Sequence, residues 1–137
     1  MKRKRTTPDL VKTLAPNEIF VFGSNLMGQH GAGAALMAYA RFNAKMRVGV
    51  GFTGQSYAFP TKDENIQTLP IPRIAEYAKD FLEAVKNNPD KVFLLTEVGC
   101  GLAGYTVEDI APLFKDGVEL ENLVYPRRFL EVYDKHK

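Results

Sequence analysis

Lys62 follows a short apolar run and a proline, in the order Pro60-Thr61-Lys62-Asp63. The proline restricts the backbone there, so the lysine is held in a defined place. A desolvated lysine amine is a nucleophile toward an aldehyde or an anomeric carbon; a solvated surface lysine is the ordinary alternative. Asp63 beside it orients a substrate or balances the charge. Glu97 closes the apolar run 92–96, where a carboxylate needs a partner: a sugar or base group, or the adjoining backbone. Cys100, between Gly99 and Gly101, has no histidine paired to it in the sequence and reads as a small packing residue. Asn25 and His30 lie in a glycine-rich stretch, where they either close the turn or reach toward sugar hydroxyls. Tyr105 and Phe52 either stack on a base or cover the core. No histidine–carboxylate spacing suits a metal, and His136 lies near the C-terminus, so neither a metal nor a cofactor is expected.

These side chains are positioned by two glycine-rich turns. The apolar run 19–22 reads as a buried strand closed by Gly23. A polar, glycine-rich turn follows over 23–33, and then a small-residue helix over 34–42. A strand feeding such a loop at a helix N-terminus offers bare N–H groups and the positive end of the helix dipole to an anion. Its spacing, Gly28-x-x-Gly31-x-Gly33, is neither G-x-G-x-x-G nor a P-loop. A second turn of the same kind, Gly99-Cys-Gly-Leu-Ala-Gly104, follows the strand 92–96. Two such turns supply donors to both sides of a diphosphate.

The rest of the chain reads as scaffold. Residues 1–17 form a basic, extended and irregular lead-in to a single domain over 18–137. The glycine-rich segment 48–54 reads as a loop, and 56–59 as a short strand stopped by Pro60. Ile74, Ala75, Ala78, Phe81, Leu82 and Val85 recur at three and four, predicting an amphipathic helix that Asn87-Asn-Pro-Asp90 ends. A short helix over 107–114, a strand over 123–125 and a closing helix over 126–133 complete the chain. Alternation of strand and helix predicts an α/β domain with a largely parallel or mixed sheet. In such sheets the ligand sits beyond the carboxyl ends of the strands, where both glycine turns and the Thr61-Lys62-Asp63 corner are expected.

At 137 residues the chain is most simply one domain. The net charge of +2 comes from the start: without Lys2, Arg3, Lys4 and Arg5, 14 basic residues face 16 acidic ones. The folded part is therefore not a basic nucleic-acid platform. No apolar run has the length of a membrane span, no signal-peptide core follows the basic start, and a lone cysteine forms no intramolecular disulfide. A reducing cytoplasm is the expected compartment.

Phe22-Gly-Ser-Asn25, His30-Gly-Ala-Gly-Ala-Ala35 and Val98-Gly-Cys-Gly-Leu-Ala-Gly-Tyr105 resemble the macrodomain family, whose members bind ADP-ribose between two glycine-rich loops. The nearer likeness is to the branch containing the terminal ADP-ribose glycohydrolases, through Gly31-Ala-Gly-Ala-Ala35, Thr61-Lys62 and Val98-Gly-Cys-Gly-Leu102, and to compact phage-associated and bacterial members. The likeness spans about 19–125, with the specific matches confined to the loops. It implies a macrodomain-like three-layer α/β/α domain with a mixed, largely parallel sheet. It implies ligand contacts from Gly23, Ser24, Asn25, His30, Gly31, Ala32, Gly33, Thr61, Glu97, Gly99, Cys100, Gly101, Leu102, Ala103, Gly104 and Tyr105. Gly31 and Gly33 would lie near the distal ribose and phosphate, with 99–105 wrapping the diphosphate. Lys62 matches the lysine that attacks the distal ribose in that branch, and Asp63 beside it is a further catalytic candidate. One departure stands out: the branch's catalytic aspartate directly follows the G-C-G-L run, and Ala103 occupies that place here. Hydrolysis of an ADP-ribosyl ester then needs another carboxylate (Asp63, Glu97 or Glu108). The alternative is a module that binds ADP-ribose without chemistry, free or carried on a macromolecule.

Overall fold

A computed structural model describes residues 5–135; Lys2, Arg3, Lys4 and His136, singled out above, lie outside them. The elements are β1 (Thr6–Thr7), β2 (Glu18–Asn25), α1 (Gly33–Arg41), β3 (Gly51–Thr53), β4 (Ser56–Lys62), α2 (Ile71–Lys86), β5 (Val92–Leu95), α3 (Val107–Ile110), a 3-10 helix (Ala111–Gly117), β6 (Leu123–Pro126) and α4 (Arg127–Lys135). The six strands form one sheet in the order β1-β6-β5-β2-β4-β3. Every pairing is parallel except β3 with β4. The expected α/β domain with a mixed, mostly parallel sheet is what the chain forms.

The strands at the centre are buried on both faces because both alternate sets of side chains are apolar. On β2, Ile19 and Val21 enter one cluster with Phe81, Phe93, Phe114 and Phe129, while Phe20 and Phe22 enter a second with Ala35, Ala38 and Phe42. The first cluster is packed by α2, the 3-10 helix and α4, and the second by α1. In α2 the predicted apolar face is realised: Ile74, Ala78, Phe81, Leu82 and Val85 are buried.

Three local expectations change. The lead-in is not irregular throughout, since Thr6 and Thr7 pair with Tyr125 and Pro126, and Val11 is buried beneath the second face. Residues 51–53, expected in a loop, form β3 against Ser56–Ala58, because an edge strand needs only one partner and tolerates flanking glycine. Pro60 does not stop β4. Pairing with β3 ends at Ala58, so Pro60 falls where that side of β4 is an edge, while Ser24 still pairs it on the other. Thr61 and Lys62 are therefore strand residues, and Lys62 also bridges Thr68.

Candidate functional site

A cleft of about 370 Å³ opens at the carboxyl ends of β2, β4 and β5. Gly23, Ser24 and Asn25 line it from the end of β2, Thr61 and Lys62 from β4, and Thr96 and Glu97 from just past β5. Gly31, Ala32, Gly33 and Ala34 face it from the first glycine turn, and Gly99, Gly101, Leu102 and Ala103 from the second. The two turns, 65 or more residues apart in sequence, meet because β5 is the parallel neighbour of β2.

The turns present backbone donors. Among the described residues, the N–H groups of Gly31, Ala32, Gly33, Ala34 and Ala35 donate to no protein acceptor, and those of Gly99, Gly101, Leu102 and Ala103 likewise. Helix α1 starts at Gly33 with no side-chain cap and no acidic residue in its first turn. By contrast, the start of α3 is closed by its own capping box, Thr106 with Asp109. A Cβ at Gly31, Gly33 or Gly101 would meet no atom within 4 Å, so these glycines face open space. Gly99 sits at φ 78°, a left-handed conformation that bends the second turn across the end of β5.

Polar side chains hold the turns, and for Asn25 the turn-closing alternative is the one realised. Asn25 donates from Nδ2 to the Gln29 carbonyl at 2.9 Å and accepts the Gln29 N–H at 3.0 Å, so its amide closes the first turn. Ser24 donates to the Gly49 carbonyl at 2.6 Å, and Thr61 to the Ser24 carbonyl at 3.3 Å. Thr68 ties the second turn by donating to the Ala103 carbonyl at 2.9 Å.

Five expected contacts do not face the cleft. His30 is fully buried: its Nε2 donates to the Lys45 carbonyl at 2.8 Å, and its ring meets Phe22 edge-on at 5.2 Å. Its Nδ1 is left buried without a partner. Asp63 accepts the N–H groups of Asn65 (2.8 Å) and Gln67 (3.0 Å), so its carboxylate closes a turn beside Lys62. Cys100 packs against the first core cluster, and burial, then the nearby Glu97 charge, pushes its thiol up to about 12. That thiol is protonated at neutral pH and no nucleophile. Tyr105 is also turned to the core, donating its hydroxyl to the Leu69 carbonyl at 2.7 Å. Gly104 supplies a φ of 92° at the end of the turn. Phe52, the other aromatic considered, lies on β3 against Tyr57 and Phe93.

Lys62 lines the cleft with no ion pair among the described residues. Glu97 does not share its freedom. Arg128 grips it with two parallel donors, Nε to Oε2 at 2.7 Å and Nη2 to Oε1, an arrangement that raises the guanidinium's proton affinity. Glu108 pairs with Lys135 at 3.7 Å and is not part of the cleft. Of the three carboxylates offered to replace an acid at Ala103, Glu97 alone lines the cleft, and both its oxygens accept from Arg128.

A second hollow of about 460 Å³ adjoins the first, lined by Thr7, Pro8, Asp9, Pro126, Arg127 and Arg128 together with Thr96 and Glu97, which line both. Sequence reading missed it: Asp9 lies in the lead-in and Arg128 on the exposed face of α4, and the β1–β6 pairing brings them together. Among the described residues no group of three His, Cys, Asp or Glu side chains is placed to hold a metal ion, and no helix is long and apolar enough to cross a membrane. Comparison with protein-family models, with curated proteins and with solved structures finds no match.

Proposed function

We propose that the chain binds ADP-ribose, or a closely related nucleoside diphosphate, with the diphosphate between the two glycine turns. The observation that carries this reading is the pair of N–H arcs lining the cleft, 31–35 and Gly99 with 101–103, whose donors have no protein acceptor among the described residues. Most of these residues are exposed, so their N–H groups meet water, and an anion seated between them exchanges that water for charge-assisted hydrogen bonds. The uncapped start of α1 adds its dipole on the same side. Each hollow falls within the range that small ligands occupy, and together they suit a molecule with an anionic middle and two bulky ends. The distal ribose then lies toward Lys62, and the base in the second hollow, where Asp9 accepts from an amino group and Arg127 offers a flat cation to stack. The macrodomain-like, three-layer α/β/α reading accords with helices packed on both faces of the sheet.

A second reading makes the protein a hydrolase of ADP-ribosyl esters, with Lys62 attacking the anomeric carbon of the distal ribose. Its support is the unpaired amine of Lys62 at the cleft wall. Against it stand Ala103 and the engagement of Asp63, Glu97 and Glu108, the three carboxylates offered in its place, with other protein groups. Binding without chemistry is therefore the conclusion drawn. Calorimetric titration with ADP-ribose, AMP and NAD tests it: ADP-ribose binds in the micromolar range, and AMP and NAD bind far more weakly. No heat with any of the three would overturn the assignment.

A further inference from the structure

The two hollows meet at Thr96 and Glu97. Thr96 is already committed, donating its hydroxyl to the Val21 carbonyl at 2.6 Å. The group that a ligand meets on passing from one hollow to the other is therefore the Glu97 carboxylate. Arg128 fixes that carboxylate in one plane and takes one lone pair on each oxygen, which leaves each oxygen able to accept again.

We propose that Glu97 selects the ligand by the state of its ribose: it accepts from free ribose hydroxyls at the junction and excludes a ribose phosphorylated there. The inference rests on the diphosphate reading above. With the diphosphate on the glycine turns and the base in the second hollow, the ribose joining them must lie at the junction. A hydroxyl donates to a carboxylate. A phosphate ester offers acceptors and close to two negative charges instead.

Arg128 does not rescue the phosphate. Its Nε and Nη2 are spent on Glu97, whose side chain is 26% exposed, so its remaining donors would hold a dianion against a carboxylate that already shares its charge. Like charges brought together at a half-buried site cost affinity. Nucleotide sites in general separate the two cases by a carboxylate for the 2′-hydroxyl and an arginine for the 2′-phosphate. Here the arginine is bound to the carboxylate, so the pair acts as one device that favours the hydroxyl.

The test titrates the full chain, native and Glu97→Gln, with ADP-ribose and with its 2′-phosphate at one ionic strength. The native chain is expected to favour ADP-ribose by at least about tenfold, and Glu97→Gln, which removes the charge and frees Arg128, to narrow the ratio to within about threefold. Equal affinities on the native chain, or a ratio unmoved by Glu97→Gln, would overturn the inference and leave ADP-ribose binding in place. Binding of neither ligand would overturn the diphosphate reading and this one with it. Should Glu97→Gln fail to fold by circular dichroism, the two ligands on the native chain decide.

Discussion

Replacing Gly101 by valine should separate binding from folding. Gly101 lines the cleft, has no left-handed backbone, and a Cβ built on it meets nothing within 4 Å. The added carbons enter open space, so the stability change stays within about 0.5 kcal/mol. A stiffer unfolded chain offsets any small loss by a few tenths of a kcal/mol. The melting temperature therefore stays within about 3 °C of the native value. Binding behaves differently, because the side chain stands where an anion approaches the N–H groups of Gly101, Leu102 and Ala103. Hydrogen bonds to a charged group contribute about 1.5–3 kcal/mol each, so displacing phosphate from two of them costs about 3 kcal/mol, or at least ~100-fold in Kd. Calorimetry with ADP-ribose and thermal melts on one preparation read both quantities. Gly49→Ala is the contrasting variant: its Cβ would lie 2.1 Å from the Asn25 carbonyl oxygen, which backbone cannot yield without distortion. That collision costs about 2 kcal/mol or more and lowers the melting temperature by about 8 °C. If Gly101→Val bound ADP-ribose as tightly as the native chain, the second glycine turn would have no part in holding the ligand.

Lys62→Ala is expected to leave ADP-ribose affinity nearly unchanged, and neither it nor the native chain should release product from an ester-linked substrate; turnover by the native chain that the variant lacks would establish the hydrolase reading. Stability should fall at alkaline pH. The Cys100 thiol is raised from 9.0 to about 12 by burial and the Glu97 charge, and the Tyr57 hydroxyl from 10.0 to about 12 by burial and then Asp80. Both groups keep their protons in the folded chain after the unfolded chain has released them, so stability declines between pH 9 and 12. Urea midpoints measured from neutral pH up through that window should show the decline, and Cys100→Ala should delay its onset. Tyr105→Phe removes the hydroxyl that binds the Leu69 carbonyl and should cost about 1 kcal/mol, read as a melting temperature lower by about 4 °C; an unchanged melt would mean that this bond contributes nothing to holding the second turn.

The central strands were legible because burial on both faces demands an unbroken apolar run, and 19–22 and 92–96 are such runs. Helix α2 was legible through its period. The two glycine turns could be placed at one end of the sheet because parallel strands put all their carboxyl ends together. Pro60 misled because a proline's effect on a strand depends on which neighbour is present, and β3, with two glycines around it, carried no strand pattern of its own. For His30 and Asp63 the sequence left two roles open, and the structure shows both engaged with backbone for a common reason. Polar residues near a cleft are spent first on the backbone that forms it, and the acceptors or donors involved, Lys45, Asn65 and Gln67, cannot be told from sequence. The Glu97–Arg128 pair joins residues 31 positions apart on different elements, and the need for a partner was visible where its identity was not.

Strand β1 is two residues long, yet it zips the beginning of the described chain to β6, with Thr7 donating to the carbonyl of Val124, 117 positions away. A contact of such range is entropically among the last to close during folding. The first hollow, made from 23–35, 61–66 and 96–103, exists once β2, β4 and β5 are paired; the second exists only after β6 has seated and drawn β1 alongside. A nascent or partly frayed chain would thus hold the first hollow without the second. On the reading proposed above, detachment of Thr6–Thr7 would lower affinity for whole ADP-ribose while sparing its diphosphate contacts.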